Sequence, residues 1–451
     1  MAKILSKLSV PKFVALGFVL IILIGSLLLA LPIATETGES TTYLNALFTS
    51  TSASCVTGLV RYDTATHWSL FGEIVIIVLI QVGGLGFMAF VSMVIEFFRK
   101  NMGLYQRRVM MQSTGETDSS SIRRLLRRIF IGTMLFEGIG AFLLAIRFVP
   151  LFGWLKGIYY AVWHSISAFC NAGFDLMGGQ LGEGEFASFT YFADDPLVVG
   201  TLCFLILVGG LGFCVWSDLW NSRKKLSQIK LHTKVTLFVS AILVFGGALL
   251  YLLLEWNGPV LENESFGKKL LSSLFCSISP RTAGMNTVDL SALSEGGYLL
   301  TLILMFIGGC SGSTAGGLKV GTLAVIVMGM IAVFREKRDI NIGKKRIEYS
   351  LLHQALAIVT ALLCLVLTAT LVLCALEPQF SFKDILFETV SALGTVGLSL
   401  SVTPALSAAS AIVVMLLMFA GRVGILTLVL ALGSKRSSAE IRKPLDTVLI
   451  G

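Results

Sequence analysis

Apolar residues in this chain come in long runs rather than in the rhythm of an amphipathic helix. The runs extend from Phe13 to Leu31, Ile74 to Phe98, Ile129 to Phe148, Leu197 to Trp220, Val235 to Leu254, Tyr298 to Phe334, Leu351 to Leu376 and Ala408 to Leu432. A helix needs about 20 mostly apolar residues to cross hydrocarbon, so the pattern predicts eight membrane spans. The first run could pass for a signal peptide. No small-residue cleavage site follows it, however, and Pro32 leads into a pattern that returns later, so it reads as a retained helix.

Composition and charge agree. A chain with 55% hydrophobic and 14% charged residues does not describe water-soluble surfaces. Of 35 Lys and Arg, 26 fall in the N-terminus to Lys12, between Arg99 and Arg128, between Arg223 and Lys234, between Arg335 and Arg346, and after Gly433. Those stretches share one side if the spans alternate, which is the positive-inside distribution. The expectation is a multi-pass plasma-membrane protein, in contact with membrane lipids, with both termini cytoplasmic. Orientation explains the basic excess, so nucleic acid binding is not implied. The opposite loops carry Asp63, Asp175, Glu183, Glu185, Asp194, Asp195, Glu262, Glu264 and Glu295; such a mouth concentrates cations, although a solvated loop looks the same. Eight cysteines without CxxC spacing and four scattered histidines indicate no disulfide framework, zinc site or organic cofactor. No nucleophile–base or metal constellation suggests an enzyme. Ser119 to Arg128 could start a helix that runs into the membrane, with Gln112 to Ser121 the flexible piece before it.

Self-similarity is the most informative feature. Four segments opposite the basic loops match: LFTSTSASCVTGL ending at Leu59, VWHSISAFCNAGF at Phe174, LFCSISPRTAGM at Met285 and LFETVSALGTVGL at Leu398. Aligned on Gly58, Gly173, Gly284 and Gly397, three share an aromatic ten residues earlier (Phe48, Trp163, Phe387) and a Ser-Ala pair; the third, with Phe275 and Ser279-Pro280, fits after a one-residue slip. About a dozen residues of short helix leading into each glycine are too few to cross a bilayer, so each segment reads as a re-entrant hairpin. A second glycine follows inside the next span: Gly83 in VGGLGF, Gly209 in VGGLGF, Gly308 in IGGCSG and Gly421 in FAGRVG. These read more readily as close helix packing than as a binding site. The fold class is therefore an all-α polytopic membrane protein of four tandem helix, pore loop, helix repeats around a central pore. The repeats span residues 1–100, 101–225, 226–340 (with a broken second helix) and 341–451.

A cation crossing hydrocarbon needs its hydration shell replaced, and rings of backbone carbonyls do that without fixed charge. Irregular backbone is tolerated at that depth only against protein or a wet cavity, and glycine reaches backbone angles closed to other residues. The candidate cation-coordinating lining is Val56, Thr57 and Gly58; Asn171, Ala172 and Gly173; Thr282, Ala283 and Gly284; and Thr395, Val396 and Gly397. Short helices leading into it aim their negative ends at the ion.

With GGCSGSTAGGLK in the third repeat and GRVG in the fourth, these loops resemble the Trk/Ktr/HKT superfamily of K⁺ transporters over nearly the whole chain, most closely the bacterial Ktr-type membrane subunit. The resemblance implies K⁺ as the transported ion. It also implies a homodimer with one pore per protomer, a cytoplasmic RCK/KTN-type nucleotide-binding regulatory subunit docked on the basic face, and Na⁺ as activator or co-ion.

Within the sixth span lies a run of small residues: Gly308, Gly309, Cys310, Ser311, Gly312, Ser313, Thr314, Ala315, Gly316 and Gly317. At roughly 1 kcal/mol per glycine relative to alanine, a helix should break there. The resemblance implies an intramembrane gate loop; a kinked helix packed on a neighbour is the alternative. Lys319 and Arg422 are the basic residues embedded deepest, and charge at that depth is costly. Lys319 either joins the gate or snorkels to the interface, and the resemblance puts Arg422 beside the loop. The competing function is secondary symport of another small substrate, but its repeats are usually inverted, whereas these run in the same sense.

Overall fold

The computed structural model describes residues 10–86, 119–222, 228–337, 339–343 and 345–432. Each repeat contributes a first helix, a short re-entrant helix and a second helix, which is interrupted in the second, third and fourth repeats. In the first these are α1 (Val10–Leu29), α2 (Tyr43–Cys55) and α3 (Leu70–Leu85); in the second, α4 (Ser119–Phe152), α5 (Trp154–Cys170) and the pair α6 (Pro196–Gly210) and α7 (Phe213–Ser222). The third has α8 (Leu231–Leu254, with a π-helical turn at Ile242–Gly246), α9 (Phe266–Ile278), α10 (Glu295–Phe306) and α11 (Val320–Phe334). An antiparallel pair of β1 (Ile340–Ile342) and β2 (Lys345–Ile347) leads to α12 (Tyr349–Leu376), α13 (Phe382–Gly394), α14 (Ala408–Val423) and α15 (Ile425–Leu432).

Among the described residues, the helices long and apolar enough to cross a bilayer unaided lie in the first position of every repeat: Pro11–Leu29, Leu126–Phe152, Leu231–Leu254 and Tyr349–Leu376. Their large side chains, such as Leu27, Phe142, Phe245 and Leu371, are exposed, as a lipid-facing surface requires. The second helices correct the sequence reading. Leu197 to Trp220 is not one straight helix but bends by 90° between α6 and α7. Ala408 to Leu432 is likewise interrupted at Gly424, between α14 and α15. The re-entrant helix of the second repeat runs 17 residues, longer than the dozen expected; the other three have 13. Ser119–Ser121 begin α4 rather than a flexible piece, while 112–118 and the lower part of the run from Ile74 to Phe98 lie outside the described residues.

The re-entrant helices form the core. Their shared aromatics, Phe48, Trp163, Phe275 and Phe387, are each at most 1% exposed. A hydroxyl on each ties it to its own first helix. Ser50 Oγ donates to the Ile22 carbonyl at 2.7 Å, Ser165 Oγ to Glu137 at 2.7 Å and Ser277 Oγ to Val244 at 2.8 Å, while Thr389 bonds Thr370 at 2.8 Å. N-caps start the second helices, with Ser69, Asp195, Ser294 and Ser407 accepting from the first-turn amides.

Candidate functional site

Three of the four re-entrant helices end in a residue forced into the left-handed region: Val56 (φ 57°), Asn171 (φ 58°) and Thr395 (φ 51°). The third repeat reaches the same register at Thr282 (φ 77°). Two residues on, Gly58, Gly173, Gly284 and Gly397 have φ of 92°, 74°, 75° and 97°, and Thr57, Ala172, Ala283 and Val396 between them keep negative φ. A β-strand points successive carbonyls to opposite sides, whereas this left-right alternation turns them to one side. A non-glycine residue at positive φ is uncommon, and for β-branched Val56, Thr282 and Thr395 it is held only by surrounding structure.

That structure includes a serine from each re-entrant helix. Ser52 Oγ accepts from Gly58 N at 3.1 Å and Ser391 Oγ from Gly397 N at 3.2 Å; Ser167 donates to the Phe174 carbonyl at 2.6 Å and Ser279 to that of Met285. Ser279 thus occupies the place of the other three serines, as the one-residue slip requires.

The four glycines close a circuit. A Cβ on Gly58 would stand 2.6 Å from the Ala172 carbonyl oxygen, and one on Gly173 would stand 3.0 Å from that of Ala283. On Gly284 and Gly397 it would collide with the carbonyls of Val396 and Thr57. Each repeat therefore presents a carbonyl to the glycine of the one before it, with no room for a side chain. A cavity of about 430 Å³ opens directly above, walled by these glycines with Asp63, Asp175 and Asp289.

Below the ring, α10 stops at Phe306 and α11 resumes at Val320, with irregular backbone between. This loop is bonded to its neighbours throughout. Cys310 N donates to Gly210 O at 3.0 Å, Phe213 N to Gly312 O at 2.9 Å and Val320 N to Gly309 O at 3.1 Å. Inside it, Ser313 Oγ donates to Cys310 O at 2.7 Å, and Gly308 lies against Gly316 and Gly317. Ser311 O faces Gly212, and the buried Ala315 packs on Gly309. A Cβ on Gly316 would collide with Thr395 Oγ1, so the loop sits immediately beneath the ring. The Arg422 guanidinium donates to the carbonyl of Thr314 in the loop, and to those of Gly83 and, at 3.1 Å, Gly84 at the end of α3. Lys319 does not snorkel away: its Nζ folds back onto Ala315 O at 2.7 Å and Gly316 O at 3.2 Å.

A family profile described as TrkH, cation transport protein, matches residues 17–442. Among curated relatives, the potassium/sodium uptake protein NtpJ of Enterococcus hirae is 39% identical over 100% of this chain and 99% of its own length. The Ktr system potassium uptake protein B of Bacillus subtilis is 38% identical over 98% of this chain and 96% of its own. The chain belongs to the TrkH cation transport family. The crystal structure of the potassium transporter TrkH from Vibrio parahaemolyticus, 18% identical, superposes with a TM-score of 0.71 over 92% of this chain and 84% of that one, which supports the fold. Membership makes this a multi-pass membrane transporter and not an enzyme.

The sequence-picked residues separate into two groups. The four glycines meet the carbonyls of Thr57, Ala172, Ala283 and Val396 in one circuit, each preceded by a left-handed residue of the set, and Arg422, Lys319 and the glycine run meet beneath it. Only some of the acids line the vestibule. Asp195 pairs with Arg147 at 2.7 Å, Lys268 bridges Glu264 (2.8 Å) and Asp194 (3.6 Å), and Glu295 pairs with Lys383 at 2.9 Å. Asp63 and Asp175 do reach the vestibule, where Asp63 accepts from the amides of Ala65, Thr66 and Phe186. Burial pushes the Asp175 carboxyl up to about 6, against the lowering effect of the Met177 amide.

The second-anchor glycines do serve packing in three repeats. A Cβ on Gly83, Gly209 or Gly421 would collide with the carbonyl of Ser54, Phe169 or Leu393 in the adjoining re-entrant helix. What the sequence reading missed lies three residues further on. Gly86, Gly212 and Gly424 have φ of 82°, 91° and 86° and end their helices. The repeated spacing in GGLG, GGLG and GRVG was the available signal.

Proposed function

We propose that this protein takes up K⁺ through the carbonyl ring of Val56-Thr57-Gly58, Asn171-Ala172-Gly173, Thr282-Ala283-Gly284 and Thr395-Val396-Gly397. The observation that carries the reading is the closed circuit of positive-φ glycines beneath a water-accessible cavity. Carbonyl oxygens there replace hydration without a fixed charge to trap the ion, and the re-entrant helices aim their negative ends at it. The relatives' names, potassium/sodium uptake and potassium uptake, support K⁺ as cargo and Na⁺ as co-ion or activator.

The loop from Gly308 to Gly317 with Lys319 and Arg422 is the gate. A guanidinium shared between loop and α3 carbonyls blocks the path sterically and repels a cation arriving from the ring. In this reading the termini and basic loops face the cytoplasm, two protomers pair with one pore each, and a nucleotide-binding regulatory subunit acts on the gate from that side. The test is flux into liposomes with K⁺, Rb⁺ and Na⁺ compared: K⁺ and Rb⁺ should enter faster than Na⁺, and equal entry of all three would reject a selective ring.

A further inference from the structure

One buried carboxyl in the re-entrant helices has no part in the ring or the gate. Glu388 is 0% exposed in α13, one residue after the core aromatic Phe387 and nine before Gly397. An ionised carboxyl at that depth is held only where hydrogen bonds compensate it. Its partners all lie on the segment that leaves the ring. Oε2 accepts from Ser399 Oγ at 2.7 Å and Oε1 accepts from Thr403 Oγ1. Thr403 Oγ1 also lies 3.3 Å from Ser399 Oγ, which accepts from Val402 N at 3.3 Å. Ser399 and Thr403 are two and six residues past Gly397, and both wall the vestibule.

The second repeat solves the same problem with other chemistry. His164, nine residues before Gly173 and 0% exposed, accepts at Nε2 from Leu176 N at 2.9 Å, three residues past the glycine, while its Nδ1 bonds Tyr160 O at 2.7 Å. One register position in two repeats thus reaches over the serine tie to the outgoing segment.

We propose that Glu388, with His164 in the second repeat, is a positioning residue for ion selection, clamping the outer end of the carbonyl ring from behind. The proposal rests on the filter reading above. A ring discriminates between cations by the number and field of its carbonyls and by how rigidly they are held. Glu388 touches no ion; it acts through Ser399 and Thr403. A purely structural role would lower stability and leave the selectivity of the surviving protein unchanged.

The experiment is the K⁺/Na⁺ flux ratio in proteoliposomes for wild type, Glu388→Ala, Glu388→Gln and Gly397→Ser, with thermal stability of each in detergent. Glu388→Ala should lose about tenfold in the ratio, equivalent to about 1.4 kcal/mol of discrimination. Glu388→Gln, whose amide can still accept from one hydroxyl and donate to the other, should stay within about twofold of wild type. If Gly397→Ser alters the ratio and Glu388→Ala does not, the clamp is wrong and the filter reading stands. A Glu388→Gln as unselective as Glu388→Ala also overturns the clamp. If Gly397→Ser leaves the ratio unchanged, the filter reading falls and the clamp with it. Should Glu388→Ala fail to fold, Thr403→Val takes its place, and an unchanged ratio there overturns the proposal.

Discussion

The ring and the layer beneath it are built by the same four repeats under opposite rules. In the ring, the turn position is filled by Val56, Asn171, Thr282 and Thr395, three residue types in four repeats, yet all take the same left-handed turn and deliver a glycine to the same place. One layer down the repeats diverge. The α6–α7 and α14–α15 connections each break at a single positive-φ glycine, whereas the third repeat opens a stretch from Ile307 to Lys319. Where backbone does the work, side chains drift and geometry stays. In the third repeat symmetry is abandoned, and Arg422 from the fourth bonds the opened stretch at the Thr314 carbonyl.

The contrast breaks most visibly if that hold is removed. Arg422→Ala deletes charge-assisted bonds of about 1.5–3 kcal/mol each, so resting K⁺ leak through the purified chain should rise by about tenfold or more. Deleting Ser311 to Ala315 should do the same, and the double variant should add little because both act on one barrier. Proteoliposomes decide it; leak at the wild-type rate in both single variants would place the barrier elsewhere.

A smaller effect separates packing glycines from helix-breaking ones. Gly209→Ala drives a methyl into the Phe169 carbonyl, a backbone overlap that should cost about 1–3 kcal/mol. Gly424→Ala meets nothing nearer than Thr427 Oγ1 at 3.8 Å and carries only the left-handed cost, about 1–2 kcal/mol. Thermal unfolding in detergent should rank Gly209→Ala below Gly424→Ala, and the reverse ranking would show that α6 does not need its close approach to α5.

The smallest effect is electrostatic. With its carboxyl pushed up to about 6 by burial, Asp175 is charged above that pH and neutral below it. External acidification through 6 therefore removes negative charge from the vestibule and should slow K⁺ entry, by less than about fivefold since the site is wet. Asp175→Asn should flatten that step in the pH profile; an unaltered profile would remove Asp175 from the entry path.

The ring was legible because four copies at one topological position exceed what scattered glycines produce. The loop was legible because five glycines in ten residues cannot stay helical. The breaks at Gly212 and Gly424 were not, since hydropathy runs through them unchanged and one glycine costs a helix too little to declare itself. The acids misled for a different reason. Loop composition records charge but not the partner, and Asp195 and Glu295 spend theirs on Arg147 and Lys383. Glu388 stayed hidden because its partners, Ser399 and Thr403, are ordinary loop hydroxyls until that loop folds back over α13.

The central claim, that four glycines form one selective ring, is tested most directly by the K⁺/Na⁺ flux ratio of Gly58→Ser in proteoliposomes. A Cβ there stands 2.6 Å from the Ala172 carbonyl oxygen, so the second repeat's carbonyl must yield. The account predicts a folded, conducting protein that admits markedly more Na⁺ relative to K⁺. A Gly58→Ser protein with wild-type expression and an unchanged ratio would contradict it.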